Sequence, residues 1–158
     1  APLNYMYNNY REGIKELHRV TKPGGKVYVS VNTRFGVIHS LIDRPNFDIT
    51  DFLGRPDYWM VNQVVDTGNL SAHAEVKHPP RHLFDAQELK GLFDEAGFTD
   101  ICMACSPCLI SGFYDKANVI SENDKAWQTL INLELKAYKK ETAVELGEFL
   151  LLSATKLL

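Results

Sequence analysis

Residues 16–32 read ELHRVTKPGGKVYVSVN, and they contain a complete transition from helix to strand. Upstream, Tyr10, Ile14 and Leu17 recur at helical spacing, which predicts a helix over residues 9–20. Because proline cannot continue a helix and glycine adopts positive φ without strain, the KPGG segment ends that helix. Residues 26–32 alternate β-branched valines with other side chains, which predicts a strand. A helix, a glycine turn and a valine-rich strand form half of an α/β unit.

The second half of the sequence predicts a helix with well-defined ends. Asp85 is placed to cap its start, and Glu88 stands at the third position of a capping box. Apolar residues then follow at helical spacing, and Gly97 ends the pattern as a C-terminal capping glycine. We expect a strand over 98–109, a long helix over 123–140, and a largely buried final strand over 148–156. The apolar side chains expected to face inward from the long helix are Trp127, Leu130, Ile131, Leu135 and Tyr138.

The stretch between these two halves is too long to be a simple connection. Residues 33–82 separate two regular elements, whereas loops in α/β units usually have about 2–6 residues. We therefore expect an insertion with its own structure, beginning with a short helix over 35–42 and a turn at 66–69. Residues 58–65 fit either a helix or a strand, because periodicity does not distinguish the two there.

Length and composition indicate a single globular domain of 158 residues, 45% of them hydrophobic, with a formal net charge of -3. A mildly acidic chain has no long-range attraction for phosphate backbones, so nucleic acid is an unlikely partner. The sequence contains no apolar run of about 18 residues, which a membrane span would need. It also contains no basic stretch followed by an apolar run, which would indicate a signal peptide. Three clustered cysteines do not form a disulfide framework, which favours a cytoplasmic location.

Three segments resemble class I S-adenosylmethionine-dependent methyltransferases. Residues 16–25 resemble the family's helix and KPGG turn before its fifth strand. Residues 82–98, which include HLFD, EL and EAGF, resemble the helix before its sixth strand. Residues 149–156 resemble the closing strand. The three occur in the family's order, so the resemblance implies an α/β fold made of the last strands of a doubly wound, Rossmann-like sheet, with a partly helical insertion at 33–82 that covers the substrate.

One departure from the family concerns the cofactor. The family binds S-adenosylmethionine with a Gly-x-Gly-x-Gly loop after its first strand and an acidic residue after its second. The sole double glycine here, Gly24–Gly25, belongs to the later turn. The resemblance therefore implies that this chain is the C-terminal half of the fold, without the cofactor-binding half, and inactive alone. We expect it to contribute the substrate side of the active site for an unidentified methyl acceptor.

The resemblance also implies candidate site residues. Leu3, Asn4 and Tyr5 match the segment after the fourth strand, which runs beside the cofactor. The residues that leave the carboxyl end of the next strand are candidates for substrate binding, because ligands of open α/β sheets bind at that end; they are Asn32, Arg34 and Phe35. His39 and His82 flank the insertion, and a histidine there could accept a proton from the nucleophile. A hydrogen-bonding role that fixes a loop is the favoured alternative for both.

Cys102, Cys105 and Cys108 form a repeated three-residue spacing that could ligate zinc or an iron–sulfur cluster with a fourth ligand. On a strand, however, a spacing of three sends successive side chains to opposite faces. Buried free cysteine also serves as a small hydrophobic residue, so packing is the favoured interpretation. We expect no metal site, and a metal-binding α/β protein remains an alternative function.

A further alternative is an interaction module or a subunit completed by another chain. The predicted strand at 26–32 would normally pair with the fourth strand of the family's sheet. Unpaired, it would be a long valine-rich edge, and such edges associate. We therefore expect either a homodimer or completion by the missing N-terminal half.

Overall fold

The computed structural model describes residues 2–42, 44, 47–54, 59–72 and 79–158, with backbone alone at 59, 60 and 62. The helices are α1 Pro2–Tyr5, α2 Tyr10–Val20, α3 Arg34–Ile42, α4 Ile49–Gly54, α5 Trp59–Thr67, α6 Ala86–Glu95, α7 Tyr114–Ser121 and α8 Asp124–Ala137. The strands are β1 Lys26–Asn32, β2 Asn69–Leu70, β3 Arg81–His82, β4 Phe98–Ser106 and β5 Phe149–Lys156. The predicted α/β class is confirmed.

The main sheet has three strands in the order β1-β5-β4. The final strand β5 lies between the other two and runs antiparallel to both, so β1 and β4 are parallel to each other. Strand β1 has the predicted bounds, and Gly24 in the preceding turn has φ of 73°. Strand β4 is shorter than predicted because it ends at Ser106, where the following proline has no N–H to continue the ladder.

The core fills one face of this sheet. Helices α2 and α6 bury Ile14, Leu89 and Phe93 against the valine face of β1 and against Leu150 and Leu152 of β5. The predicted cap of α6 is confirmed, since the Asp85 side chain accepts a hydrogen bond from the Glu88 N–H and Gly97 has φ of 91°. The opposite face of the sheet is open, and Tyr28 on β1 is 77% exposed.

The insertion is partly helical, as expected. Its helices are α3, α4 and α5, and the short antiparallel pair β2–β3 closes it. Helix α5 resolves the ambiguous stretch at 58–65, although Tyr58 itself lies outside the described residues. Val64, Leu70 and Leu83 form a second small core beneath α3. The insertion therefore packs as a separate layer that joins the main sheet at the end of β1.

The predicted inward face of the long helix is wrong for most of its length, although Tyr138, just past the end of the helix, packs against the main core. Helix α8 has no buried residue, Trp127 is 38% exposed and Leu135 is 62% exposed. A short helix that the sequence did not predict, α7, precedes it and is its main packing partner. Amphipathic spacing showed that α8 has an apolar side, but it could not show what covers that side.

No helix in the described ranges is long and apolar enough to cross a membrane.

Candidate functional site

The carboxyl end of β1 is where four of the eight predicted site residues meet. Asn32 and Thr33 are buried there, and Thr33 forms a parallel bridge with Phe84 just before α6. The Thr33 hydroxyl donates to the Gly147 carbonyl at 2.7 Å and accepts from the Gly36 N–H at 2.9 Å. This hydroxyl therefore joins the start of α3 to the loop before β5.

Asn4 attaches the N-terminal helix to this position. Its Oδ1 accepts from the Asn32 N–H at 2.9 Å, and its Nδ2 donates to the carbonyls of Asn32 at 3.2 Å and His82 at 2.6 Å. The Asn4 side chain is fully buried, so these bonds satisfy its amide in the absence of water. Segments of the chain that are 78 residues apart are thereby held in one place.

Arg34, the first residue of α3, connects β1 to the start of α6. Its Nε donates to the Leu83 carbonyl at 3.2 Å, and its Nη2 donates to Glu88 Oε2 at 2.7 Å. Its Nη1 lies 3.5 Å from Asp85 Oδ2, and the side chain is only 15% exposed. The guanidinium group therefore directs its N–H donors to other groups of the protein itself.

His82 lies at the centre of the same network and is 2% exposed. Its Nε2 donates to Glu88 Oε1 at 2.8 Å, and its Nδ1 lies 2.7 Å from Asn69 Oδ1. Its ring stacks on Tyr10 with centroids 4.2 Å apart, and the edge of Phe84 lies 4.6 Å away. Both ring nitrogens are engaged, so this histidine links β3, α6 and the insertion.

Glu88 carries the negative charge of the network. Burial by itself raises its pKa, but hydrogen bonds and positive charge from His82 and Arg34 outweigh burial, and the net pKa is lowered. Burial, followed by the nearby Glu88 carboxylate, raises the pKa of Tyr10. Among the described residues this network contains an ion pair and an oriented imidazole but no nucleophile, so its chemistry is that of positioning.

The structure brings together four of the eight predicted site residues: Asn4, Asn32, Arg34 and His82. The other four lie apart from this network. Leu3 is 5% exposed and belongs to the main core, whereas Tyr5 and Phe35 are 53% and 46% exposed.

His39 lies further along α3, under the loop that follows β4. Its ring packs edge-on against Phe113 with centroids 5.5 Å apart. A side chain at Gly112 would meet the His39 carbonyl at 2.9 Å, so the loop passes very close to the helix. Its Nδ1 is buried and has no hydrogen-bond partner within the described ranges.

Sequence reasoning recognised Glu88 as a helix-capping residue and missed its larger role. Its side chain binds His82 and Arg34, while the Asp85 side chain caps the Glu88 N–H at the start of the helix. Glu145 was missed altogether, although its Oε1 accepts from the Ala86 N–H at the same helix start. No sequence signal marks Glu145, because it lies in an irregular segment before β5 and meets α6 through tertiary packing alone.

The three cysteines do not gather around one point. Cys102 is exposed and pairs in register with Ser153. Cys105 pairs with Leu150 and is buried on the other face of the sheet. Burial, followed by the contact with Cys108, raises the pKa of Cys105 to about 12. Within the described ranges, no group of three or more histidine, cysteine or acidic side chains is arranged to hold a metal ion.

Comparisons with known proteins place methyltransferases among the similar structures. No family model matches the sequence, and no curated protein matches it. An S-adenosylmethionine-dependent methyltransferase of Thermotoga maritima, described as a possible histamine N-methyltransferase, is 19% identical with a TM-score of 0.43, and the match covers 93% of this chain and 49% of that one.

The phosphoethanolamine N-methyltransferase 2 of Haemonchus contortus is also similar. Its complex with phosphomonomethylethanolamine and S-adenosylhomocysteine is 13% identical with a TM-score of 0.42, and the match covers 94% of this chain and 30% of that one. Its complex with S-adenosyl-L-methionine gives 12% identity and a TM-score of 0.40. The present chain thus spans half or less of the length of these enzymes.

Proposed function

We propose that this chain forms the substrate-side half of an S-adenosylmethionine-dependent methyltransferase. The observation that carries the proposal is the convergence of Asn4, Asn32 and His82, joined by hydrogen bonds of 2.6–3.2 Å. These residues come from three separate segments, and the resemblance expected each of them near the active site. They meet at the carboxyl end of a sheet strand, where open α/β sheets bind their ligands.

The cofactor needs further protein to hold it. Leu3 is part of the core, and the Asn4 amide is committed to two backbone carbonyls and one N–H, so of the three expected residues only Tyr5 presents an exposed side chain. These residues do not fit S-adenosylmethionine by themselves, and no reaction step is assigned to them. The glycine-rich loop would come from a preceding segment or from another chain, and the 158-residue chain alone would be inactive.

The free edge of β1 supports completion by another strand. The Thr33 N–H donates to the Glu148 carbonyl, directly before β5. Residues at alternate positions of β1, among them Tyr28 and Ser30, therefore direct their backbone groups away from β5. These groups have no partner in the described part of the chain. They border a groove of about 680 Å³ whose other wall includes Met6, Leu17 and Val20. An extended apolar strand would satisfy the backbone groups and fill this groove.

The predicted site residues have different roles in this proposal. Phe35 is 46% exposed beside the end of β1 and would contact the methyl acceptor. Arg34 and His82, whose polar atoms are already bonded, would act as positioning residues. Among the residues that the structure describes, His39 has no hydrogen-bond partner for its Nδ1, and it is the better candidate for accepting a proton after a small movement of the loop above it.

Calorimetry with S-adenosylmethionine and S-adenosylhomocysteine tests the proposal. We expect no binding by the chain alone, and micromolar binding once the segment encoded upstream is added to the same polypeptide. In the extended protein, Phe35→Ala should raise the KM for the acceptor and leave cofactor affinity unchanged. Leu53→Ala, an exposed control in the insertion, should change neither. An upstream sequence without a glycine-rich loop, together with no binding in the extended protein, would contradict the proposal.

The alternative is a non-catalytic subunit completed by another chain. The open edge of β1 suits that role equally well, because strand addition requires only backbone groups and an apolar groove. Purification of the chain from its native source distinguishes the two. A stable complex with a second polypeptide that has no glycine-rich loop would favour the non-catalytic subunit, whereas a glycine-rich loop, on the same polypeptide or on a partner chain, would favour the enzyme half.

A further inference from the structure

A carboxylate of helix α8 holds the loop between β4 and α7, residues 107–113, which we call the β4–α7 loop. Glu134 Oε2 accepts a hydrogen bond from the Cys108 N–H, and Glu134 Oε1 accepts one from the Ile110 N–H, each at 2.8 Å. One side chain thus binds two alternate backbone groups of the same loop. Because hydrogen bonds to a charged acceptor are stronger than neutral ones, this pair fixes the first half of the loop.

The end of helix α8 is itself attached to the main sheet. Directly after the helix, the Tyr138 carbonyl accepts from the Cys105 N–H of β4 at 2.8 Å, and Ala137 packs against the main core. Glu134 lies one helical turn earlier, and its carbonyl accepts from the Tyr138 N–H at 2.9 Å. The Glu134 side chain therefore reaches the loop from a fixed position.

The second half of the loop lies against His39 of α3. The Ile110 carbonyl accepts from the Phe113 N–H at 3.0 Å, so the position of Ile110 constrains Phe113. The Phe113 ring packs edge-on against His39, and Gly112 passes close enough that an added Cβ would lie 2.9 Å from the His39 carbonyl oxygen. The buried Nδ1 of His39 has no hydrogen-bond partner in the described part of the chain. Access to this atom therefore depends on where the loop lies.

Two other attachments hold the far end of the loop. The Ser111 hydroxyl accepts from the Glu148 N–H at 3.1 Å, and the Tyr114 hydroxyl donates to the Glu148 carboxylate. Both connect the loop to the segment before β5, whereas Glu134 connects it to α8. A segment fixed at both ends stays in place only while both attachments persist, so the loss of either one should release the residues between them.

We propose that Glu134 is a positioning residue that keeps the β4–α7 loop closed over His39 and thereby controls access to the His39 Nδ1. The control of access depends on this chain alone. The consequence for catalysis rests on the proposed function, in which His39 accepts a proton after the loop moves. Helix α8 then has a defined role, which is to carry the carboxylate that restrains this movement.

Hydrogen–deuterium exchange at the imidazole Cε1–H tests the proposal, measured for each histidine by mass spectrometry of the 158-residue chain. This exchange proceeds through the doubly protonated ring, so it is slow while solvent cannot reach one of the nitrogens. Glu134→Gln keeps the shape of the side chain but places an NH₂ donor opposite one of the two loop N–H groups. Exchange at His39 should accelerate at least about fivefold, whereas His18 on α2 should stay within about twofold of wild type.

Amide exchange of the same variant, followed by nuclear magnetic resonance, distinguishes local release from general destabilisation. The Cys108 and Ile110 amides should lose protection in Glu134→Gln, while the Leu152 amide at the centre of the sheet should retain it. Phe113→Ala removes the ring that covers His39 and leaves both Glu134 hydrogen bonds in place. It should therefore accelerate exchange at the His39 ring without exposing those two amides.

Glu122→Gln is the matched control, because it removes the same charge from an exposed side chain between α7 and α8. It should leave every one of these rates within about twofold of wild type. An unchanged His39 rate in Glu134→Gln, when the Cys108 and Ile110 amides have lost protection, would overturn the proposal. Equal acceleration at His39 and His18 would also overturn it, because the protein would then be opening as a whole. None of these measurements uses the cofactor, so they can fail or succeed independently of the proposed function.

Discussion

The Asn4 side chain pairs with the backbone of Asn32 as a neighbouring strand would. Its Oδ1 lies 2.9 Å from the Asn32 nitrogen and its Nδ2 lies 3.2 Å from the Asn32 oxygen. A primary amide presents an acceptor and a donor much as a peptide group does, so one side chain extends the sheet by one pairing unit. The free edge of β1 is thereby closed at its carboxyl end and remains open at Tyr28 and Ser30.

Replacement of Asn4 by alanine should destabilise the protein by about 2–3 kcal/mol. The change leaves a buried N–H and two carbonyls without this partner, and unsatisfied buried groups cost more than the net value of a hydrogen bond. Urea unfolding measures the difference. Asn8→Ala, at an exposed position in the adjacent 3₁₀ turn Tyr7–Asn9, should cost less than about 0.5 kcal/mol. Equal losses in the two variants would contradict the role assigned to Asn4.

Glu88→Gln should reduce stability at neutral pH by about 1–2 kcal/mol, because Arg34 and His82 lose a charged acceptor. The pKa of Glu88 is lowered from an ordinary value of 4.5, so its contribution is complete above that value and is lost as the pH falls through the folded-state pKa. The stability gap between wild type and variant should therefore narrow between pH 7 and pH 3, measured by urea unfolding across that range. A gap independent of pH would show that the carboxylate charge is unimportant.

Glu145→Gln should show the opposite dependence on pH. The pKa of Glu145 is raised, chiefly because the carboxyl group is buried and to a smaller extent because Asp85 is nearby. The hydrogen bond from the Ala86 N–H and the positive charge of Arg34 lower the pKa but do not outweigh burial. A raised folded-state pKa means that ionisation opposes folding, so the wild type loses stability as the pH rises through that pKa. The variant should equal or exceed wild-type stability at pH 8, by up to about 1 kcal/mol, and lose the advantage at pH 4. Thermal unfolding at the two pH values measures the effect.

Two glycine-to-alanine substitutions should have opposite signs. A Cβ at Gly36 would lie 2.0 Å from the Gly147 carbonyl oxygen, a backbone atom that cannot move independently, so Gly36→Ala should cost about 2–3 kcal/mol. Gly91 lies within α6, and apart from its chain neighbours and the backbone of the helix itself, no atom of the described residues lies within 4 Å of the added carbon. Gly91→Ala should therefore stabilise by about 0.5–1 kcal/mol, because alanine favours helix. Denaturant midpoints compare the two, and loss of stability in both would contradict the assignment.

The cysteines should differ in reactivity. Cys102 is exposed, whereas Cys105 and Cys108 are buried with raised pKa values, and the thiolate is the reactive form. A chromogenic disulfide reagent should modify one thiol per native chain rapidly and the other two only after unfolding. Cys102→Ser should remove the rapid phase, and Cys108→Ser should leave it intact. Rapid modification of all three thiols in the native protein would contradict the packing described.

Local signals predicted much of the fold. The KPGG turn, the alternating valines of β1 and the Asp85 cap each depend on a few neighbouring residues, and the structure confirms all three. The weaker predictions failed where a local pattern lacked information about neighbours. The spacing correctly predicted helix α8, but the helix has no buried residue. The inward face was predicted wrongly because spacing identifies an apolar side without identifying what covers it.

The sequence by itself determined the α/β class and the order of the main elements, and its resemblance to a known family named eight candidate site residues, of which four converge at the end of β1. Only the tertiary structure decided what those residues do there. Asn4 completes a sheet edge, and His82 and Arg34 share Glu88, a residue that the sequence marked solely as a helix cap. The reason is physical: turns, caps and periodicity arise from contacts within a few residues, whereas hydrogen-bond partners 28 to 78 residues apart are selected by how the layers pack.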